Sequence, residues 1–221
     1  MTRRVVAVTA GLSVPSSTRL LTDRLVVALE SQLGARGEGA EVEVVELREH
    51  AQAIASDLTS GFASTSLGAV IDQVETADAL IAVTPVFAAS YGGLFKSFFD
   101  LIDPESLGGT PVLVAATAGT ARHSLMLEHA MRPLFTYLHA VVLPTAVFAA
   151  TDDFAGDDLA RRIERGAGEL ADALVGRGDW LVGLRPGRTE RELSLDDVPD
   201  FRSLLGDQGI RRRPARTSPA G

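Results

Sequence analysis

Residues 4–33 read RVVAVTAGLSVPSSTRLLTDRLVVALESQL, and the succession of residue types within them decides the fold class. Val5, Val6, Ala7 and Val8 form a short apolar run without polar alternation, the mark of a strand covered on both faces. Gly11, Ser13, Pro15, Ser16 and Ser17 then break the run. A helix is predicted from about 17 to 33, where Leu20, Leu21, Leu25, Val26, Leu29 and Leu33 recur at spacings of three and four along one face. Strand, hydroxyl-rich turn and amphipathic helix make one unit of a parallel α/β sheet.

The unit repeats. A second strand is predicted near 41–47, followed by a Ser/Gly/Thr-rich stretch and a helix near 66–74. A third strand over 79–83 ends at Thr84 and Pro85, and a helix near 93–102 follows it. A fourth strand over 111–116 leads through loop 117–123 into a helix reaching about His139. The fifth strand covers 141–148, and a last helix covers 157–175. Five such strands predict a doubly wound parallel sheet, order 2-1-3-4-5, whose ligand lies outside the carboxyl ends of the strands beside strands 1 and 3. The loops after strands 1, 3 and 4 are therefore the ones to read for chemistry.

Composition narrows that chemistry. The 221 residues are 46% hydrophobic and carry no cysteine, which excludes a disulfide scaffold, thiolate metal sites and a cysteine nucleophile. A formal charge of −8 argues against nucleic acid as a partner. No apolar run approaches the roughly 18 residues of a membrane helix, and Met1 to Arg4 leads straight into a strand rather than a signal peptide, so a cytoplasmic location is expected. Twenty of the 21 basic residues are Arg; Lys96 is the single lysine. Residues 185–221 hold eight Arg against six Asp or Glu, leaving −10 for residues 1–184. The expected organisation is one domain over 1–180 and an extended, partly disordered arm over 181–221, rich in Pro and Arg.

The first loop offers the hydroxyls of Ser13, Ser16, Ser17 and Thr18, the charge of Arg19 and the N–H groups of a helix start, a combination that suits a phosphate. The same residues would also serve as a plain helix cap. The nucleotide pattern GxGxxG does not follow the first strand, and Lys96 and Ser97 follow Phe95 rather than the glycine that GxxxxGK[ST] demands. The loop after strand 3 brings Pro85, Val86, Phe87 and Ser90 with small residues that admit a flat ligand. Phe95, Phe98 and Phe99 read as core, while Phe87 and Tyr91 read as aromatic surface on the loop. The loop after strand 4 presents Thr117, Gly119 and Thr120. There is no HExxH pair for zinc, and Ser90 lacks the GxSxG setting of a hydrolase nucleophile.

Two segments carry a family resemblance. TPVFAASYGGLFKSFFD, from Thr84, resembles TPVYxxSYxGxxKxxxD, and ATAGTARHSLMLEHAMRPLFTYLHAVVLP, from Ala116, resembles ATGGxxxHxLxxxxxLRPxLxxLxAxVxP. Both patterns belong to the NAD(P)H-dependent FMN reductases of flavodoxin-like fold, in particular those that supply reduced flavin to two-component monooxygenases; the likeness spans about residues 4–177. It implies FMN and NAD(P)H as ligands. The FMN phosphate would lie against Ser13, Ser16, Ser17, Thr18 and Arg19. One side of the ring system would lie near Pro85, Val86, Phe87 and Ser90, the other near Thr117, Gly119 and Thr120. Phe87 stands where the family often has Tyr, Ala118 where it often has Gly, and GLSVPSSTR replaces the commoner GSxRxxS. His129 falls at a position that related reductases use between subunits, and His123 is a candidate for binding the nicotinamide.

The expected activity is hydride transfer from NAD(P)H to FMN with no catalytic side chain, since the chemistry is the cofactor's. A homodimer or homotetramer is expected from the apolar helix carrying Met126, Met131, Leu134, Phe135 and Leu138, with a flavin-dependent monooxygenase as a further partner. Two alternatives stand beside this reading: a quinone or azo reductase with tightly bound FMN, and a nonenzymatic flavodoxin-type electron carrier.

Overall fold

The computed structural model describes residues 3–176. The arm expected from residue 181 onward lies outside the described residues. Strand β1 (Arg3–Thr9) lies between β2 (Ala40–Glu46) and β3 (Ala79–Phe87), parallel to both. Beyond β3 lies β5 (Pro111–Ala118), also parallel. The far edge is built from two short pieces, β6 (Val141–Val142) and β7 (Val147–Ala150), each paired with β5. A two-residue strand β4 (Ser90–Tyr91) folds back antiparallel on the end of β3. The order β2-β1-β3-β5 followed by the broken edge strand is the predicted doubly wound order, that of flavodoxin-type sheets.

Strand alternation divides the core into two layers. Val5, Ala7, Ile81, Val83, Leu113 and Ala115 face α1 (Ser17–Gly34) and α6 (Asp157–Val175). Gly166 lets α6 approach closely, because a Cβ there would lie 3.0 Å from a Leu113 methyl and 3.3 Å from a Val147 methyl. On the other face, Val6, Val8, Leu80, Ala82, Val112 and Val114 pack against the remaining helices. These are α2 (Ala51–Ser60), α3 (Thr65–Glu75), α4 (Gly93–Phe99) and α5 (Arg132–Tyr137). Phe95, Phe98 and Phe99 are core, as their sequence suggested, and Phe95 and Phe99 pack with Phe135.

Several elements differ from their sequence reading. Helix α2 occupies part of the stretch read as irregular. Only Ile54 and Asp57 of its ten residues are buried, so its sequence carries no apolar periodicity, and tertiary packing supplies the order. On α1 the buried face is Thr18, Leu21, Thr22, Leu25, Leu29 and Leu33, whereas Leu20 is 44% exposed. Thr18 and Thr22 join the buried face, while Leu20 and Val26, placed on it by hydrophobicity, are exposed and half-buried. The helix expected to reach His139 is irregular: its backbone stays helical from 126 to 137 but widens into a π turn (Leu127–Met131), and Pro133, which has no N–H to donate, follows directly on that widening. The single fifth strand is interrupted at 143–146, and both neighbouring layers hold the gap. Arg132 donates to the carbonyls of Leu143 (3.0 Å) and Pro144 (3.3 Å), while Glu169 accepts the N–H of Thr145 at 2.8 Å.

Candidate functional site

The carboxyl ends of β1, β3 and β5 finish almost in step. Thr9 is in register with Val83 and Pro85 with Thr117, and the N–H of Ala10 donates to the Val83 carbonyl at 3.0 Å. Three chain segments therefore emerge side by side: 11–18, 85–91 and 117–120. This is the switch point the sequence order predicted.

The first segment folds tightly against the start of α1. A Cβ on Gly11 would collide with the Ser16 hydroxyl and crowd the Ser16 and Thr18 Cβ atoms at 3.1 and 3.2 Å, so a side chain there would force Ser16 out of its capping position. Ser16 caps α1 by accepting the N–H of Arg19 at 3.2 Å, and Ser13 closes the loop by donating to the Pro15 carbonyl at 2.9 Å. Ser17 is exposed, Thr18 is buried, and no acidic residue lies in the first turn. Helix-start N–H groups, serine hydroxyls and an acid-free first turn form a donor set that fits an anionic phosphate. Arg19 contributes less charge than its sequence position suggested. Its guanidinium is held by Asp23 at 2.7 Å and by Glu46, and the Asp23 hydrogen bond, with Glu46 adding to it, raises its pKa above the ordinary arginine value.

The second segment leaves the core at Pro85 and turns back through a tight hairpin that pairs Phe87 with Ser90. Ala88 and Ala89, the two central residues, have φ of 47° and 65°, the left-handed pair that a two-residue hairpin turn requires. The buried Thr84 hydroxyl fastens the base, accepting the N–H of Gly92 at 2.9 Å and donating to the Pro85 carbonyl at 3.0 Å. Val86 is half-buried and Phe87 is 50% exposed. Tyr91, read from sequence as loop surface, instead packs on the aromatic core with its ring 6.0 Å from that of Phe95.

The third segment leaves β5 at Thr117, which is buried, and continues through the exposed Gly119 and Thr120. The hydroxyls of Thr117 and Thr18 share a 2.8 Å hydrogen bond, and Thr22 donates its hydroxyl to the Thr18 carbonyl at 2.8 Å. Thr9, on the same face of the sheet as Ala7, is buried with no partner for its hydroxyl. Sequence reading missed Thr9, Thr22 and Glu46, and took Thr84 only as the end of a strand. The available signal was positional: Thr18 and Thr22 continue the spacing of Leu21, Leu25 and Leu29, and Thr9 continues the alternation of Val5 and Ala7.

Ser13, Ser16, Ser17, Pro85, Val86, Phe87, Ser90, Gly119 and Thr120 thus lie on the three converging segments. Thr18 and Thr117 lie there as well, but with side chains turned to one another rather than outward. The edge is an open shelf with Leu12 and Val14 on its rim, 55% and 77% exposed. His123 is exposed in a turn (Ala121–His123) after the third segment. His129 lies elsewhere, in a groove of about 570 Å³ lined by Lys96, Asp100, Pro133 and Tyr137 among others. Lys96 is ion-paired with Asp100. His139 is exposed at the end of α5, 3.6 Å from Glu105. Among the described residues no group of three metal-ligating side chains could hold an ion, and no helix is long and apolar enough to cross a membrane.

The chain also resembles known proteins over most of the described residues. Residues 3–155 match the family model described as NADPH-dependent FMN reductase. An FMN reductase (NADPH) of Pseudomonas aeruginosa is 40% identical over 183 residues, 80% of this chain and 96% of its own length. The NADH-dependent FMN reductase SfnF of Pseudomonas putida is 40% identical over 68% of this chain and 79% of its own. Among solved structures, an oxidoreductase from Corynebacterium diphtheriae superposes with a TM-score of 0.77 at 46% identity, covering 79% of this chain and 98% of the other.

Proposed function

The chain belongs to the NADPH-dependent FMN reductase family, and from that premise we propose that FMN binds across the ends of β1, β3 and β5 and leaves, once reduced, for a flavin-dependent monooxygenase. The activity itself is NAD(P)H-dependent reduction of FMN. When bound, the flavin supplies the hydride chemistry; the protein supplies position. The observation that carries the site is the first segment: a loop closed by Gly11 and Ser16 onto a helix start free of acidic residues.

In this reading Ser13, Ser16 and Ser17 meet the phosphate with hydroxyls, and Thr18 with its backbone. Arg19 acts at longer range, its charge shared with Asp23 and Glu46. Pro85, Val86, Phe87 and Ser90 flank one side of the ring system, and Thr117, Gly119 and Thr120 flank the other with backbone groups and the Thr120 hydroxyl. Flavin acting as an exchangeable substrate in the cytoplasm is part of this proposal, and the flavin-dependence of turnover tests it.

The proposed assembly is a homodimer or homotetramer using the groove between α4 and α5, where Tyr137 is 70% exposed. Sedimentation is expected to give that assembly; a monomer at all concentrations contradicts it.

The deciding experiment is steady-state oxidation of NADH and NADPH with FMN, FAD and a quinone compared side by side. A colourless purified protein with saturable dependence on FMN is expected. A yellow protein that reduces quinone without added FMN overturns flavin release.

A further inference from the structure

Thr18 and Thr117 are 2% and 4% exposed, stand 99 positions apart in sequence and have their hydroxyls 2.8 Å apart. Thr18 stands in the first turn of α1, directly after the capping Ser16 and the exposed Ser17. Thr117 stands in register with Pro85, with Ala118 between it and the exposed Gly119 and Thr120. The bond therefore passes from α1 to the end of β5 over the end of β3. It joins the segment read above as the phosphate grip to one of the two segments read as the ring grip. Thr22 holds the helix end of this link through the Thr18 carbonyl. One hydroxyl donates to the other, and both residues are closed off from solvent, so the pair faces inward and not toward a ligand.

We infer that Thr18 and Thr117 are a positioning pair, which fixes the distance between the phosphate-binding start of α1 and the ring-binding end of β5 so that FMN is gripped at both ends at once. This rests on the FMN site proposed above. A ligand held at two points gains affinity from the second contact only to the extent that the two subsites are already at the right separation. A ligand reaching one subsite does not depend on that separation. Riboflavin, which carries the ring system without the phosphate, is such a ligand. The pair thus makes the protein selective for the phosphorylated flavin without contacting the phosphate by side chain.

The test uses the full chain with T18V, T117V, the double variant T18V/T117V and T18S/T117S, each checked for cooperative thermal unfolding. The single valines orphan a buried hydroxyl, so the double variant, which leaves none, is the one the test rests on. Dissociation constants for FMN and riboflavin are read by quenching of flavin fluorescence, and kcat and KM by NAD(P)H oxidation. T18V/T117V is expected to weaken FMN about tenfold, in the range of one lost hydrogen bond, while riboflavin changes less than about twofold. The loss is expected in KM for FMN and not in kcat, and T18S/T117S is expected to retain wild-type selectivity. Equal weakening of FMN and riboflavin, or unchanged FMN affinity in a folded double variant, overturns the pair as a selectivity device. Wild-type protein that binds riboflavin as tightly as FMN instead overturns the phosphate site itself, and the inference with it.

Discussion

The Arg132 guanidinium donates to the Leu143 carbonyl at 3.0 Å while its Nε donates to Glu128 Oε2 at 2.7 Å and its Nη2 to Oε1 at 3.0 Å. One side chain thus ties the π turn to the break in the edge strand, where the carbonyls of Leu143 and Pro144 lie outside the strand pairing. Arg132, which lies in the second segment that carries the resemblance, thus has a structural task in this fold.

Arg132→Ala is expected to lower stability by about 2 kcal/mol, the usual cost of losing hydrogen bonds to a charged group. Arg132→Lys should recover less than half, because an ammonium cannot serve a carboxylate and several carbonyls in one plane. Urea unfolding checks both. An unchanged midpoint in Arg132→Ala contradicts the clasp.

The same pair sets a pH dependence. The hydrogen bond from Arg132 holds the Glu128 carboxyl below its ordinary value of 4.5. A depressed carboxylate contributes stability that is fully present above its unfolded pKa and disappears as pH falls through the folded one. The stability difference between wild type and Glu128→Gln should therefore be constant at neutral pH and shrink below about 4.5. Parallel curves down to pH 3 contradict the pairing.

Ala88 and Ala89 occupy left-handed backbone, which costs an L side chain about 1 kcal/mol. Ala89→Gly should raise the melting temperature slightly or leave it unchanged, the relief being partly offset by unfolded-chain entropy, while Ala89→Val should lower stability by about 1 kcal/mol or more. Thermal unfolding of the two variants distinguishes a strained hairpin from a relaxed loop, in which valine would be harmless.

Gly11→Ala should be the most damaging small change in the first loop, because the added Cβ would stand 2.1 Å from the Ser16 hydroxyl. FMN affinity is expected to fall more than tenfold, beyond the effect of Ser16→Ala, which removes only a cap worth about 1 kcal/mol. Flavin titration of Gly11→Ala, Ser16→Ala and the double variant checks this. Partial recovery in the double variant is the expected sign of relieved crowding.

Much of this site was legible before the fold was known. Gly11, the serines that follow it and the breaks at Thr84 and Thr117 stand out because loops and strands use different residue types. Arg19 was harder, since Asp23 lies four residues on along the same helix but Glu46 reaches it only from β2 in the folded chain. Tyr91 was placed on the surface by its position in a loop motif, and the aromatic core claimed it. Helix α2 escaped notice because a ten-residue helix with one buried apolar side chain leaves no period to detect.

The sequence by itself determined the parallel sheet, its strand order and the three loops at its switch point, because alternation of apolar runs with amphipathic segments is a local pattern that only a few topologies can bury. The tertiary structure alone decided which polar groups face one another. Thr18 and Thr117 are 99 positions apart and become neighbours only when α1 packs over the sheet. Arg19 meets Glu46, and Arg132 the carbonyls of the broken strand, for the same reason. A hydrogen bond is a condition on distance and angle, and across such separations those are set by packing, not by the composition of either segment.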